Sequence, residues 1–163
     1  MRFGPRALAR RLGVGIVAML LCLGPAVVAG APAAEAYSPS LATKAAYQAR
    51  VIQQINVVRS RYHRGSLRST YCPTWYAARW SGYLARTGAF YHQSLYPMLY
   101  ACHASVAAEN LARGFSTADR VVAAWMVSPG HRANILDGRL TRIGVAAVWG
   151  RGGWTVAADF TRS

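Results

Sequence analysis

After position 36 the chain has four acidic residues, Glu109, Asp119, Asp137 and Asp159, and four histidines, His63, His92, His103 and His131. Glu109 is the only glutamate among those acids and lies between His92 and His131 in sequence. A carboxylate and two imidazoles are the groups of general acid–base chemistry, the carboxylate orienting a ring that moves the proton. The same imidazoles, with water and Glu109 as a third or outer partner, could hold Zn²⁺ in an open tetrahedral site. Ser94 and Ser128 add hydroxyls nearby, but no Gly-x-Ser-x-Gly turn accompanies either, which argues against a serine hydrolase. Ser128-Pro129 reads as a helix start that puts His131 in the first turn, where the positive end of the dipole disfavours imidazolium. Spacing alone does not bring His92, Glu109 and His131 together. That falls to the elements around them.

Tyr47, Val51, Ile55, Val58 and Tyr62 recur at spacings of 4, 4, 3 and 4, which predicts a long amphipathic helix from Ser40 to Tyr62, with Ser40 as its cap. Pro73 suits the first turn of a second helix, with Ala77, Trp80 and Leu84 inward and a stop at Gly88. Residues 89 to 106 read as an irregular connection. Ala107 to Arg113 reads as a short strand, in which Glu109 and Asn110 face opposite ways. Ser116-x-x-Asp119 resembles a capping box ahead of a helix with Val121, Val122, Trp125 and Met126 apolar. The short helix begun at Ser128 runs to Asp137-Gly138. Two alternating runs, Ile143 to Trp149 and Trp154 to Phe160, joined by Gly150-Arg151-Gly152-Gly153, predict an antiparallel hairpin. The order is α+β.

Arg2, Arg6, Arg10 and Arg11 precede an apolar run of 16 residues, Val14 to Ala29, short of the roughly 20 needed to span a bilayer. Ala34-Glu35-Ala36 fits the small-x-small rule, so residues 1–36 read as a signal peptide cleaved after Ala36, with Ala31-Pro32-Ala33 as the second choice. Cys22 would leave with it. Cys72 and Cys102 then remain as a pair in an exported domain, 37–163, and a disulfide is the natural reading. Closing that loop is worth about 3.5 kcal/mol on a chain-entropy basis. The domain carries 15 basic residues, Lys44 its only lysine, against 4 acidic ones, a formal net charge of +11. Such a field attracts anionic polymers and membrane surfaces. Export favours anionic cell-wall polymers or lipid as partners over nucleic acid, for which no recognition motif appears.

Taken together, His92-Gln93-Ser94, Glu109-Asn110-Leu111-Ala112, the run from Trp125 through Ser128-Pro129-Gly130-His131-Arg132-Ala133-Asn134-Ile135-Leu136, Ile143-Gly144-Val145 and Asp159-Phe160 resemble the bacterial branch of the CAP superfamily over about residues 41 to 161. That superfamily takes in cysteine-rich secretory proteins, insect antigen 5 and plant pathogenesis-related proteins. The resemblance implies a three-layer α-β-α sandwich with a small central antiparallel sheet and a cavity holding two histidines and two acids. By motif position these carry over to His92, Glu109 and His131, with His92 and His131 as the zinc ligands. The fourth place departs: Ser128 stands where many eukaryotic relatives have a glutamate, and Ala158 where a glutamine commonly precedes the Asp-Phe pair. Losing one carboxylate leaves weak, pH-dependent Zn²⁺ binding as the expectation.

The protein so described is secreted, monomeric and active at or beyond the bacterial cell surface. Three function classes follow. The first is a binding module for cell-envelope or extracellular components, favoured by the basic surface and the missing acid. The second is a hydrolase using His92, Glu109 and His131 on peptide or cell-wall substrates. The third is a lipid- or sterol-binding protein. His63 and His103 read as solvated, Trp80 and Trp125 as packing, Asn110 and Asn134 as partners of backbone groups, and Arg132 as a partner of an acid such as Asp159.

Overall fold

The apolar spacing expected near the start of the domain produces α1, Leu41–Arg61. In this computed structural model residues 41–163 are described; the expected leader 1–36, its cleavage site and the Ser40 cap lie outside the described residues. The chain continues through β1 (Arg68–Ser69), α2 (Tyr71–Thr87), α3 (Tyr96–Ala101), β2 (Val106–Arg113), α4 (Ala118–Val127), α5 (Pro129–Leu136), β3 (Arg142–Gly150) and β4 (Gly153–Arg162). The strands form one sheet in the order β1-β3-β4-β2. Helix α2 covers one face, and α1, α4 and α5 cover the other. This is the expected three-layer α+β sandwich.

The sheet is mixed and not wholly antiparallel. The β2–β4 and β3–β4 ladders are antiparallel, but β1 pairs with β3 in parallel. Two residues are too few to show a period of two, so β1 left no pattern to read. It is held from outside: Arg68 N–H donates to Thr141 O (3.0 Å) and Thr70 N–H to Ile143 O (3.1 Å). The Asn56 amide pairs with both backbone groups of buried Leu67 at 3.0 and 2.8 Å.

Helix α1 buries Tyr47, Val51 and Ile55 as expected, whereas Tyr62 stays 46% exposed just beyond its end. Arg59 turns inward instead. Its guanidinium donates to Gly65 O (2.7 Å), Ile135 O (2.8 Å), Asp137 O (3.0 Å) and Leu140 O (3.1 Å). Two of these carbonyls close the end of α5, where intrahelical partners run out. One buried cation therefore fixes the helix that carries His131.

The connection expected to be irregular over 89 to 106 contains α3. Its six residues are too few for a helical period to show; Pro97 sets the first turn and Met98 anchors it in the core. The Cys72–Cys102 disulfide forms, with its Cα atoms 5.7 Å apart, and ties the end of α3 to the first turn of α2. The cap of α4 is Thr117, one residue later than expected, accepting from Arg120 N at 3.4 Å. Asp119 is drawn instead to Arg50, at 2.8 and 3.1 Å.

Helix α2 lies against the sheet because Gly144 has no side chain. A β-carbon there would run into the backbone of Pro73 and Thr74. Neither neighbour is the free end of a flexible side chain, so α2 as a whole would have to retreat. Gly144→Ala is therefore expected to cost about 1–3 kcal/mol in urea unfolding, as other over-packed cores do.

Candidate functional site

As the outermost strand of the sheet, β2 offers side chains from both of its faces to one site. Glu109 projects toward the α2 face and meets the loop before α3. His92 Nδ1 lies 2.7 Å from Glu109 Oε1, Gln93 N–H donates to the same oxygen (3.1 Å), and the Gln93 amide donates to Oε2 (2.8 Å). Asn110 points the other way, to α5, where its amide donates to the backbone carbonyl of His131 (3.0 Å). Asn134 closes the link, donating to Glu109 O (3.1 Å) and Asn110 Oδ1 (2.9 Å). Both asparagines thus satisfy backbone groups. Adjacent residues of one strand hold one histidine each.

The two rings approach around the strand edge, their centres 6.4 Å apart and their planes tilted by 55°. His131 also lies 6.5 Å from the ring of Trp125, a buried packing residue whose indole N–H donates to Leu111 O at 2.9 Å. Burial, and then the proximity of His92, lowers the His131 pKa. That favours the neutral ring expected from the sequence, with packing and the neighbouring imidazole as its causes. Ser128 shares an apolar recess of about 320 Å³ with His131, between Phe90, Leu111, Phe115 and Trp125. His92 and Glu109 open on another of about 320 Å³, with Leu95, Ala107 and Asn134. His63 and His103 are exposed, at the ends of α1 and α3, with φ of 53° and 48°.

Sequence reasoning missed two members of the arrangement, Gln93 and Asp159. Asp159 faces Glu109 directly across the β2–β4 ladder and is fully buried. Its carboxylate accepts from the Gln93 amide at 2.9 and 3.1 Å, so one side-chain amide serves both acids. Arg132, the partner expected for Asp159, instead lies over the ring of Tyr62, 5.1 Å from its centre. Burial drives the Asp159 pKa well above the carboxylate range, repulsion from Glu109 adds to this, and Gln93 offsets part of it. Glu109 is raised too, by burial, against the donors of His92 and Gln93. With more donors, Glu109 is the member that ionises and Asp159 the one that keeps a proton. A sign was present in the sequence: Asp137 has Arg139 beside it, while Asp159 has only apolar neighbours and Thr161 within two positions.

The donors suit zinc only in part. Among the described residues no group of three or more His, Cys, Asp or Glu is arranged to hold a metal ion. Two imidazoles on one tetrahedral zinc have ring centres about 5 Å apart, so His92 and His131 would have to close by about 1 Å. Glu109 is buried and already accepts from three protein groups.

The family model for the CAP, cysteine-rich secretory protein family matches residues 29–160. The chain belongs to this family. A stretch of 49 residues of this CAP protein is 51% identical to the uncharacterized protein YkwD of Bacillus subtilis, a match covering 30% of the chain and 19% of that relative. In fold it is similar to an extracellular SCP-domain protein of Bacillus anthracis (TM-score 0.65, 23% identity, 78% of this chain and 45% of that one). It is likewise similar to a cysteine-rich secretory protein of Staphylococcus aureus (TM-score 0.67, 16% identity, 78% and 42%) and to an outer surface protein of Borrelia burgdorferi (TM-score 0.64, 18% identity, 69% and 89%). The CAP protein spans under half the length of the first two of these structures and about a fifth of the curated relative.

The raised Asp159 pKa fixes the sign of a pH effect. Between the ordinary carboxylate range and its folded value, Asp159 binds a proton in the folded state that the unfolded chain has released. Its contribution is therefore favourable at low pH and is lost as pH rises through that window. Asp159→Asn is expected to gain stability relative to the wild type as pH increases from 4 to 8, measured by urea unfolding at each pH. A difference that shrinks with pH would contradict the protonated assignment.

Proposed function

We propose that this CAP protein acts outside the cell as a binding module, holding a cell-envelope or extracellular component against His92 and His131. The observation that carries this reading is the burial of Glu109, whose side chain is 1% exposed. Its two oxygens face His92 Nδ1, Gln93 N and Gln93 Nε2, so the carboxylate orients a ring from behind. What faces outward is imidazole: the His92 side chain is 58% exposed. The recesses on either side suit a ligand with an apolar part beside Phe90 and Trp125 and an anionic or carbonyl part beside His92.

The leader-like N-terminus supports secretion, and the extracellular and outer-surface fold relatives agree with it. No helix among the described residues is long and apolar enough to cross a membrane. The charge of the chain, 19 basic against 5 acidic residues, favours anionic cell-wall polymers as partners. Zn²⁺ between His92 and His131 would be held weakly, by two protein ligands. Titration calorimetry is expected to show weak binding that vanishes in His131→Ala and on acidification, since imidazolium cannot ligate.

A hydrolase is the second reading, and one distance favours it. His92 Nδ1 against Glu109 at 2.7 Å is the oriented-base half of an acid–base pair, on a ring 58% exposed. A single experiment separates the two. The disulfide-bonded protein and its Glu109→Gln variant are incubated with bacterial cell walls and a peptide pool, and bound protein and released products are measured by mass spectrometry. The binding reading expects wild type retained on the walls, His92→Ala weakened about tenfold, equivalent to about 1.4 kcal/mol, and no products. Products that disappear in Glu109→Gln would overturn it in favour of the hydrolase.

A further inference from the structure

We propose that the outward ridge of α2, with α3 beside it, is a second binding surface and that its occupant is an acidic polysaccharide chain. The surface does not use His92 or His131, so either assignment can fail without the other.

Helix α2 buries Pro73, Ala77, Ser81 and Leu84 against the sheet. Its outer ridge runs Tyr71, Trp75, Arg79, Tyr83 and Arg86, at spacings of 4, 4, 4 and 3, so that rings and guanidiniums share one line. That line is about 22 Å long, roughly four sugar rings end to end. Tyr71 and Tyr100 are each 81% exposed and Trp75 41%, although large rings usually gain by burial. Nothing in the fold requires this exposure. Half of the chain's 18 aromatic residues fall between Tyr71 and Ser105, a stretch that contains no Asp or Glu.

The surface is built before anything binds. Tyr76 Oη–H donates to Pro97 O and Trp80 Nε1–H to Tyr91 O, both at 3.0 Å. Trp80 and Tyr83 stack with centres 5.1 Å apart and planes 17° from parallel. The guanidinium of Arg79 lies 4.6 Å from the centre of the Trp75 ring, and that of Arg86 lies 5.9 Å from Tyr83. The disulfide fixes Tyr71 at the start of α2 relative to Tyr100 on α3. Two shallow recesses follow the ridge: about 420 Å³ between Tyr71, Trp75, Tyr76 and Ala101, and about 270 Å³ between Tyr76, Arg79, Trp80, Tyr83, Ser94 and Gln93, the one residue it shares with the candidate site.

Exposed rings along one line, with guanidiniums lying over two of them, suit a chain of acidic sugars. The C–H faces of the sugars stack on the aromatic faces, and their carboxylates pair with a planar donor fork. A bilayer fits less well. It takes a continuous apolar face set apart from a basic one, whereas this ridge alternates rings and guanidiniums along one line.

The test is affinity electrophoresis of the disulfide-bonded protein through gels containing polygalacturonate or neutral dextran, with flotation on vesicles of phosphatidylcholine and phosphatidylglycerol as a third arm. The proposal expects retardation by polygalacturonate, weaker retardation by dextran, and no flotation. Tyr71→Ala with Trp75→Ala should weaken polygalacturonate binding at least tenfold, as should Arg79→Gln with Arg86→Gln, whereas Arg120→Gln, exposed on α4 across the sheet, should leave it unchanged. These positions are on the surface, so circular dichroism and thermal unfolding of the variants should match the wild type. Failure of the wild type to bind overturns the proposal. So does equal binding by the aromatic double variant, which would reduce the effect to net charge, or equal binding to dextran. Flotation lost in the same double variant overturns it in favour of a membrane surface.

Discussion

Two buried carboxyl groups face each other across the β2–β4 ladder, and a single amide accommodates both. Gln93 donates to Glu109 and to Asp159 from one nitrogen, and its own backbone N–H adds a further bond to Glu109. Without such donors the pair would be two like charges in low dielectric, an arrangement proteins avoid by pairing or protonation. Because Gln93 follows His92 directly, the residue that reconciles the carboxyls also sets the position of the ring. The loop before α3, the edge strand β2 and the last strand β4 are thereby joined at one point. The solvent-facing imidazole is the outer end of a network whose inner end is in the core.

The surrounding fold keeps those parts in register by unlike means. On the α2 face, Gly144 allows helix and sheet to touch backbone to backbone, and the disulfide anchors the chain again past the His92 loop. On the other face, the Arg59 guanidinium gathers the carbonyls at the end of α5, so the helix bearing His131 is fixed at its far end while Asn110 holds its first turn and Asn134 ties its later turn to β2. A hydrogen-bonded polar network in a low-dielectric interior is directional, and this one orients side chains that apolar packing alone would leave adjustable. The cost is that each member matters. Removal of one donor leaves a partner buried and unpaired.

Much of this was legible in the residues. A period of 3.6 marked α1 and α4, each burying one face, and a period of 2 marked the β3–β4 hairpin because its large residues, Ile143, Val145, Trp154, Val156 and Phe160, take one face while Gly144, Ala146 and Ala157 take the other, under α2. The motif segments brought His92, Glu109 and His131 into one reading, and the geometry joins His92 to Glu109 directly and brings His131 within 6.4 Å of His92 between ring centres. What stayed hidden has a common cause. Strand β1 and helix α3 are too short for any period. Tyr62 and Arg59 exchanged the expected places because a charge with four carbonyl partners can be buried and a phenol past the helix end need not be. Gln93 and Asp159 escaped because their importance lies in cross-strand register, which a sequence specifies only through the whole sheet. Trp80, read as packing from its helical spacing, does pack partly buried against the core under α2, and it also lines a recess at the surface, where hydrogen bonding to Tyr91 satisfies its indole.

The central claim is that Glu109, held by Gln93, fixes the His92 ring with its proton on Nδ1 and its lone pair toward the recess. Long-range ¹H–¹⁵N correlation of the imidazole nitrogens, at a pH where the rings are neutral, reports this directly. The account predicts an Nδ1–H tautomer for His92 in the wild type and the usual Nε2–H-rich mixture in Glu109→Gln and Gln93→Leu. An Nε2–H ring in the wild type, unchanged by either substitution, would contradict it.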